Sequence, residues 1–154
     1  MCADTSSRTM SSEAVGRAIV AGHGDFAAGI VSAVVQITGR DDVFIPVSNR
    51  GLSAQDVERT VRELLDAPPP PGAGPVAVVF TDLPAGSCTM AARRLQRERP
   101  GLSVVTGVNL AALLEFVFTE ATDVAAAAGE AVEKGRKALA VAGGGAVGGA
   151  PRGA

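Results

Sequence analysis

The sequence contains no tryptophan and no tyrosine, and only 5 of its 154 residues are phenylalanine. Proteins that bind single-stranded nucleic acid stack bases on aromatic side chains and track the phosphates with a basic groove. With a formal net charge of −2, the chain has no excess of basic residues to form such a groove. We therefore predict that nucleic acid is not a partner of this protein.

Cysteine and histidine are also scarce, since the sequence contains 2 cysteines and 1 histidine. Cys2 lies near the beginning of the chain and Cys88 lies within the predicted domain, so the two do not form a disulfide framework, and a reducing compartment is expected. A single histidine without a CxxC pair does not supply the ligands of a zinc site. We accordingly predict no metal and no other cofactor.

Long hydrophobic runs are also missing, and nothing approaches the length of a transmembrane helix. Residues 1–14 lack the apolar segment of a signal peptide, so we interpret them as a disordered leader. Residues 141–154 are mostly glycine and alanine, which predicts a flexible tail. These patterns leave one domain over residues 15–140 and predict a cytoplasmic protein.

Within that domain, short apolar runs alternate with segments of helical periodicity. The runs predict strands at residues 18–21, 43–47, 76–80 and 102–105. Pro46 cannot donate to a sheet ladder, which places its strand at an edge. The predicted fold is α/β, a doubly wound and mainly parallel four-stranded sheet with helices on both faces.

Polar residues follow the predicted strands at the points where the strands end. His23 stands between Gly22 and Gly24, Asp82 follows the run at residues 76–80, and Asn109 begins a helix after the run at residues 102–105. The carboxyl ends of parallel strands meet at one edge of a sheet, and ligands bind where the strand order reverses. We therefore expect these residues to approach one another.

Two nucleotide-binding patterns do not fit this edge. The glycines at positions 22, 24 and 29 miss the GxGxxG spacing, and no GK[ST] follows for a P-loop. A Ser-His-Asp hydrolase could be assembled from Ser87, His23 and Asp82, but Ser87 is not in a G-x-S-x-G turn. Lone histidines and loop aspartates also serve as helix caps or packing residues.

The remaining interpretation makes His23 itself the nucleophile. An imidazole nitrogen attacks phosphorus only when it carries a lone pair, so the proton must be held on the other nitrogen. Asp82 is the best-placed acid to accept that proton in a hydrogen bond. Backbone N–H groups at Gly24, Gly86 and Ser87, together with the Ser87 hydroxyl, would then receive phosphate oxygens.

Three ordered segments carry a family resemblance: AIVAGHGDFAAGI, VVFTDLPAGSCTMAARR and VVTGVNLAALLE. Over roughly residues 17–139 the chain resembles the mannose-type (mannose/fructose/sorbose) IIA domain of the bacterial sugar phosphotransferase system. The resemblance implies a homodimer in which His23 accepts phosphate from HPr and passes it to a IIB domain. It also implies that Asp82 orients the histidine, that Ser87 lies in the phosphate-cradling loop, and that Asn109 flanks the site.

The chain departs from that family at Ala85, where many relatives have glycine, and at Cys88, where many have proline. The printed sequence contains no IIB domain. We therefore expect a separate IIB protein as the acceptor, with the membrane reached only through a IIC/IID permease. Two alternatives carry the same motifs. One is a phosphorylation-dependent regulatory protein without a transport role, and the other is a phosphoryl donor to dihydroxyacetone kinase.

Overall fold

The computed structural model describes residues 16–143. The predicted leader at 1–14 and the part of the predicted tail beyond residue 143 lie outside the described residues. The elements, in chain order, are β1 (Arg17–Gly22), α1 (Phe26–Thr38), β2 (Phe44–Ser48), α2 (Ala54–Asp66), β3 (Val76–Thr81), α3 (Ser87–Glu98), β4 (Ser103–Val105), α4 (Leu110–Phe118) and α5 (Val124–Ala138). None of the helices in this part of the chain combines the length and apolarity that a membrane crossing requires.

The sheet has four strands in the order β2-β1-β3-β4, and every neighbouring pair is parallel. This confirms the predicted α/β class. Pro46 lies in β2, which is an edge strand, as its missing N–H group predicts. The observed strand ends lie within one residue of the predicted ones. Backbone pairing continues one residue past the apolar run at both ends of β1 and at the carboxyl ends of β2 and β3, whereas β2 and β4 begin one residue later than predicted.

Both faces of the sheet are covered by helices. Ala18 and Val20 of β1 pack into a core with α1, α4 and α5, whereas Ile19 and Ala21 pack into a second core with α2 and α3. All four side chains are fully buried. Such a strand, buried on two faces, reads in sequence as an uninterrupted apolar run, which is what made β1 and β3 predictable.

The chain reverses its direction of winding between β1 and β3. From β1 it moves outward to β2 at one edge, and it then returns to pair β3 on the other side of β1. The loops that leave β1 and β3 therefore diverge to opposite faces and open a crevice at the carboxyl edge of the sheet. Ala21 pairs with Thr81, so His23 and Asp82 follow neighbouring positions at that crevice.

Candidate functional site

His23 lies in the short turn between β1 and α1, and 54% of its side chain is exposed. Glycine is required just before it. A Cβ atom on Gly22 would stand 2.9 Å from Asp82 Oδ2 and 2.8 Å from Phe26 Cδ2, closer than real Cβ atoms come to their neighbours. The missing side chain at Gly22 is therefore what allows Asp82 to approach the histidine.

Asp82 is the first residue after β3, and only 11% of its side chain is exposed. One oxygen, Oδ2, lies 2.8 Å from His23 Nδ1 and also accepts the His23 backbone N–H at 2.9 Å. Burial raises the pKa of the Asp82 carboxyl, but the hydrogen bonds from the His23 ring and backbone outweigh it and hold that pKa below its ordinary value.

The ionised carboxylate of Asp82 has no proton to give, so it accepts only. The Nδ1 nitrogen of His23 must therefore be the donor, and the neutral ring keeps its lone pair on Nε2. This is the tautomer that the nucleophile hypothesis requires. The geometry brings together the two side chains that sequence reasoning had paired.

The loop that carries Asp82 is fastened to α3 by two buried threonines. Thr89 Oγ1 donates to the Leu83 carbonyl at 2.6 Å, and the hydroxyls of Thr81 and Thr89 lie 2.7 Å apart. Both side chains are almost fully buried, and both are hydrogen-bonded. Because buried polar groups are costly to leave unpaired, this network holds the loop in one arrangement.

The first turn of α3 lies against the histidine ring. Gly86 is the residue before the helix and has a φ of 120°, a conformation that favours glycine, and a Cβ there would be 3.6 Å from His23 Cε1. The first N–H groups of a helix have no partner within it, and its dipole favours an anion there. Ser87 Oγ accepts a hydrogen bond from Asn49 Nδ2 at 3.1 Å, so this contact uses the serine oxygen and not its proton.

Sequence reasoning missed the loop between β2 and α2. Ser48 Oγ donates to the Gly24 carbonyl at 2.8 Å, and the Asn49 N–H donates to the Gly22 carbonyl at 3.1 Å. Arg50 Nη1 lies 3.1 Å from Asp25 Oδ1. The available signal was strand direction, since a strand parallel to β1 must end at the same edge of the sheet.

Asn109 has a structural set of partners. Its Oδ1 accepts the Ala112 N–H at 3.0 Å, which caps α4, and its Nδ2 donates to the Gly135 carbonyl of α5 at 2.9 Å. The preceding residue, Val108, donates its N–H to the Thr81 carbonyl, which brings this segment beside the end of β3. The side chain of Asn109 thus joins α4 to α5, and its hydrogen bonds do not include His23 or Asp82.

Cys88 follows Ser87 in the first turn of α3 and is 2% exposed. Burial and then the negative charge of Asp82 raise the pKa of its thiol. The thiol is therefore a packing group at neutral pH. Among residues 16–143, no cluster of three or more histidine, cysteine, aspartate or glutamate side chains is arranged to hold a metal ion.

Residues 17–135 match the family model that describes the fructose IIA component of the phosphotransferase system (PTS). A search of curated proteins finds no match.

Three solved structures show the fold. The PTS component EIIA of Streptococcus agalactiae is 23% identical with a TM-score of 0.68, covering 81% of this chain and 95% of its own. The mannose/sorbose-specific IIA subunit of Enterococcus faecalis is 20% identical with a TM-score of 0.66, covering 82% and 93%. The PTS IIA protein associated with the fucose utilization operon of Streptococcus pneumoniae is 23% identical with a TM-score of 0.64, covering 81% and 91%.

Proposed function

The chain belongs to the family of PTS fructose IIA components, and we propose that within it His23 carries a phosphoryl group from HPr to a separate IIB protein. One observation supports this proposal above all others. Asp82 Oδ2 lies 2.8 Å from His23 Nδ1, while more than half of the histidine side chain is exposed. The ring is thus held from one side and open to a partner protein on the other.

In the proposed step, the Nε2 lone pair of His23 attacks phosphorus in line with the nitrogen of the donor's phosphohistidine. The new N–P bond forms as the donor's N–P bond breaks, and the donor imidazole keeps the electron pair. The Nδ1 proton stays between the His23 ring and Asp82, so the positive charge that develops on the ring faces a carboxylate. Transfer to the acceptor is the same displacement in reverse, with the acceptor's nitrogen as the nucleophile.

The phosphoryl oxygens are assigned to the first turn of α3. The first N–H groups of α3 have no partner within the helix, and the positive end of the helix dipole favours an anion there. The Ser87 hydroxyl can donate a further hydrogen bond. The N–H of Gly24, the residue after the histidine, is a further proposed contact. The proposed oxygen contacts are fixed before the reaction by the threonine network and by the turn, so little reorganisation is needed.

The experiment is incubation of the protein with phosphoenolpyruvate, enzyme I and HPr, followed by isolation of the phosphorylated chain. Since the sequence contains 1 histidine, an acid-labile and alkali-stable phosphate identifies His23 directly, and His23→Ala must abolish it. Asp42→Asn is the matched control, because Asp42 is exposed and paired with Arg40 in the loop before β2. An unlabelled wild-type chain would overturn the proposal.

Addition of candidate IIB proteins to the phosphorylated chain tests the second half of the proposal. Loss of label from His23 with its appearance on IIB is the expected result. A chain that is labelled but passes its phosphate to no IIB protein would contradict the carrier role and favour the regulatory alternative.

A further inference from the structure

Arg50 lies over the turn that carries His23. Its Nη1 is 3.1 Å from Asp25 Oδ1, and its Nη2 would be only 3.3 Å from a Cβ atom on Gly24, the residue after the histidine. The backbone beneath it is fixed, since the Arg50 N–H donates to Ser48 Oγ at 3.0 Å and Ser48 in turn donates to the Gly24 carbonyl. The loop after β2 therefore holds a guanidinium over the turn that carries His23.

The pairing of Arg50 with Asp25 is loose. The two side chains are 66% and 84% exposed, and an ion pair in such a setting stabilises a protein by about 0–1 kcal/mol. Asp25 makes no capping hydrogen bond to α1, although it occupies the N-cap position. The ion pair thus keeps the guanidinium near the turn, and little free energy is needed to break it.

A phosphoryl group on His23 would bring negative charge into a site that already contains the carboxylates of Asp82 and Asp25. A guanidinium binds phosphate through two parallel N–H···O bonds, a stronger and better-matched contact than a single bond to an exposed carboxylate. We propose that Arg50 leaves Asp25 on phosphorylation and binds the phosphoryl oxygens of phospho-His23. This inference rests on the proposed function, and it makes the loop after β2 a phosphate-binding element.

The test uses phosphoramidate, a small-molecule donor that needs no partner protein. Its P–N bond breaks and ammonia leaves as the Nε2–P bond of His23 forms. The phosphoryl group is then titrated by ³¹P NMR in the folded protein. A bound guanidinium favours the dianionic form of the phosphoryl group, so Arg50→Gln should raise the midpoint of this titration. The expected shift is about one pH unit, the tenfold change in proton affinity that corresponds to the loss of one charge-assisted hydrogen bond.

Asp25→Asn should move the midpoint the opposite way, because it removes both the competing carboxylate and a nearby negative charge. The matched control is Arg59→Gln, since Arg59 is 63% exposed and paired with Asp56 in α2. It should leave the midpoint unchanged.

If wild-type protein and Arg50→Gln are both phosphorylated and titrate at the same pH, the inference is wrong and the proposed function stands. If neither phosphoramidate nor phospho-HPr labels the wild type, the proposed function fails and the inference fails with it. A midpoint raised equally by Arg59→Gln would assign the effect to net charge, which also overturns the inference.

Discussion

Replacement of Asp82 by asparagine separates the two ways in which the carboxylate can act on His23. Oδ2 accepts both the Nδ1–H and the backbone N–H of the histidine. An asparagine NH₂ group at that position would face the backbone N–H donor to donor, so the amide oxygen should occupy it instead. The Nδ1 proton then stays in place, the tautomer is preserved, and the negative charge is what the variant loses.

The size of the effect follows from that geometry. A hydrogen bond to a charged group contributes about 1.5–3 kcal/mol and one between neutral groups about 0.5–1.5 kcal/mol, so loss of the charge removes about 1–1.5 kcal/mol. The bond strengthens as the ring becomes positive, so this difference falls on the transition state and slows phosphorylation roughly tenfold. Asp82→Ala also removes the control of the tautomer, and we expect a loss of about 100-fold.

The assay is a single-turnover reaction of radiolabelled phospho-HPr with each variant. The reaction is quenched in alkali, and the labelled phosphate bound to the IIA chain is measured over time. Asp42→Asn removes an exposed aspartate that precedes β2, at the opposite edge of the sheet from His23, and it should react like the wild type. Two results would refute the reasoning. Asp82→Asn could be as fast as the wild type, or it could be slower than Asp82→Ala, which would mean that asparagine donates to Nδ1 and stabilises the wrong tautomer.

The remaining predictions concern backbone fit and acid stability. Gly22→Ala should slow phosphorylation, because its Cβ would stand 2.9 Å from the Asp82 oxygen that holds the ring, and the single-turnover assay measures this. Gly129→Ala, in an exposed part of α5 with no atom within 4 Å of the new Cβ, should raise the free energy of unfolding in urea, by about 0.5–1 kcal/mol. Gly135→Ala should lower it, because its Cβ would meet Asn109 Oδ1 at 2.9 Å and displace the cap of α4, by about 1 kcal/mol. The pKa of Asp82 in the folded chain lies below its ordinary value of 3.8, so its stabilising contribution is complete above that value and is lost as the pH falls through the folded pKa. Acid titrations of the unfolding free energy should therefore be shallower for Asp82→Asn than for the wild type.

Each of these predictions has a control within the chain. Gly29→Ala places a methyl group in open space on α1 and should leave the phosphorylation rate unchanged, so a rate as low as that of Gly22→Ala would contradict the steric explanation. Equal effects of the alanines at positions 129 and 135 would show that the contact between α4 and α5 is not close. Parallel acid titrations for the wild type and Asp82→Asn would mean that folding does not lower the pKa of this carboxyl.

The sequence was sufficient to predict the class of the fold and the pairing of His23 with Asp82. Both predictions depend on local signals: continuous apolar runs mark the strands that are covered on two faces, and the residues that follow such strands share one edge of the sheet. The capping box of α2, formed by Ser53 and Asp56, is a local feature of the same kind, since it depends on residues three positions apart. What such signals could not give was strand order, and the contacts of the loop after β2 depend on strand order.

Arg50 and Asn49 illustrate the consequence. In the sequence they follow a short strand that contains proline. The proline predicts an edge strand, and an edge strand suggests that the residues after it lie away from the centre of the sheet, where His23 is expected. In the structure β2 is the direct neighbour of β1, with Ser48 opposite Gly22, so the residues after it lie beside His23. The histidine turn thus lies between one loop that carries a carboxylate and another that carries a guanidinium, and each loop follows a strand adjacent to β1. If Arg50 acts as proposed, the edge strand β2 contributes to the site as much as the central strand β3 does. In a parallel sheet, a loop that follows an edge strand can therefore carry functional residues.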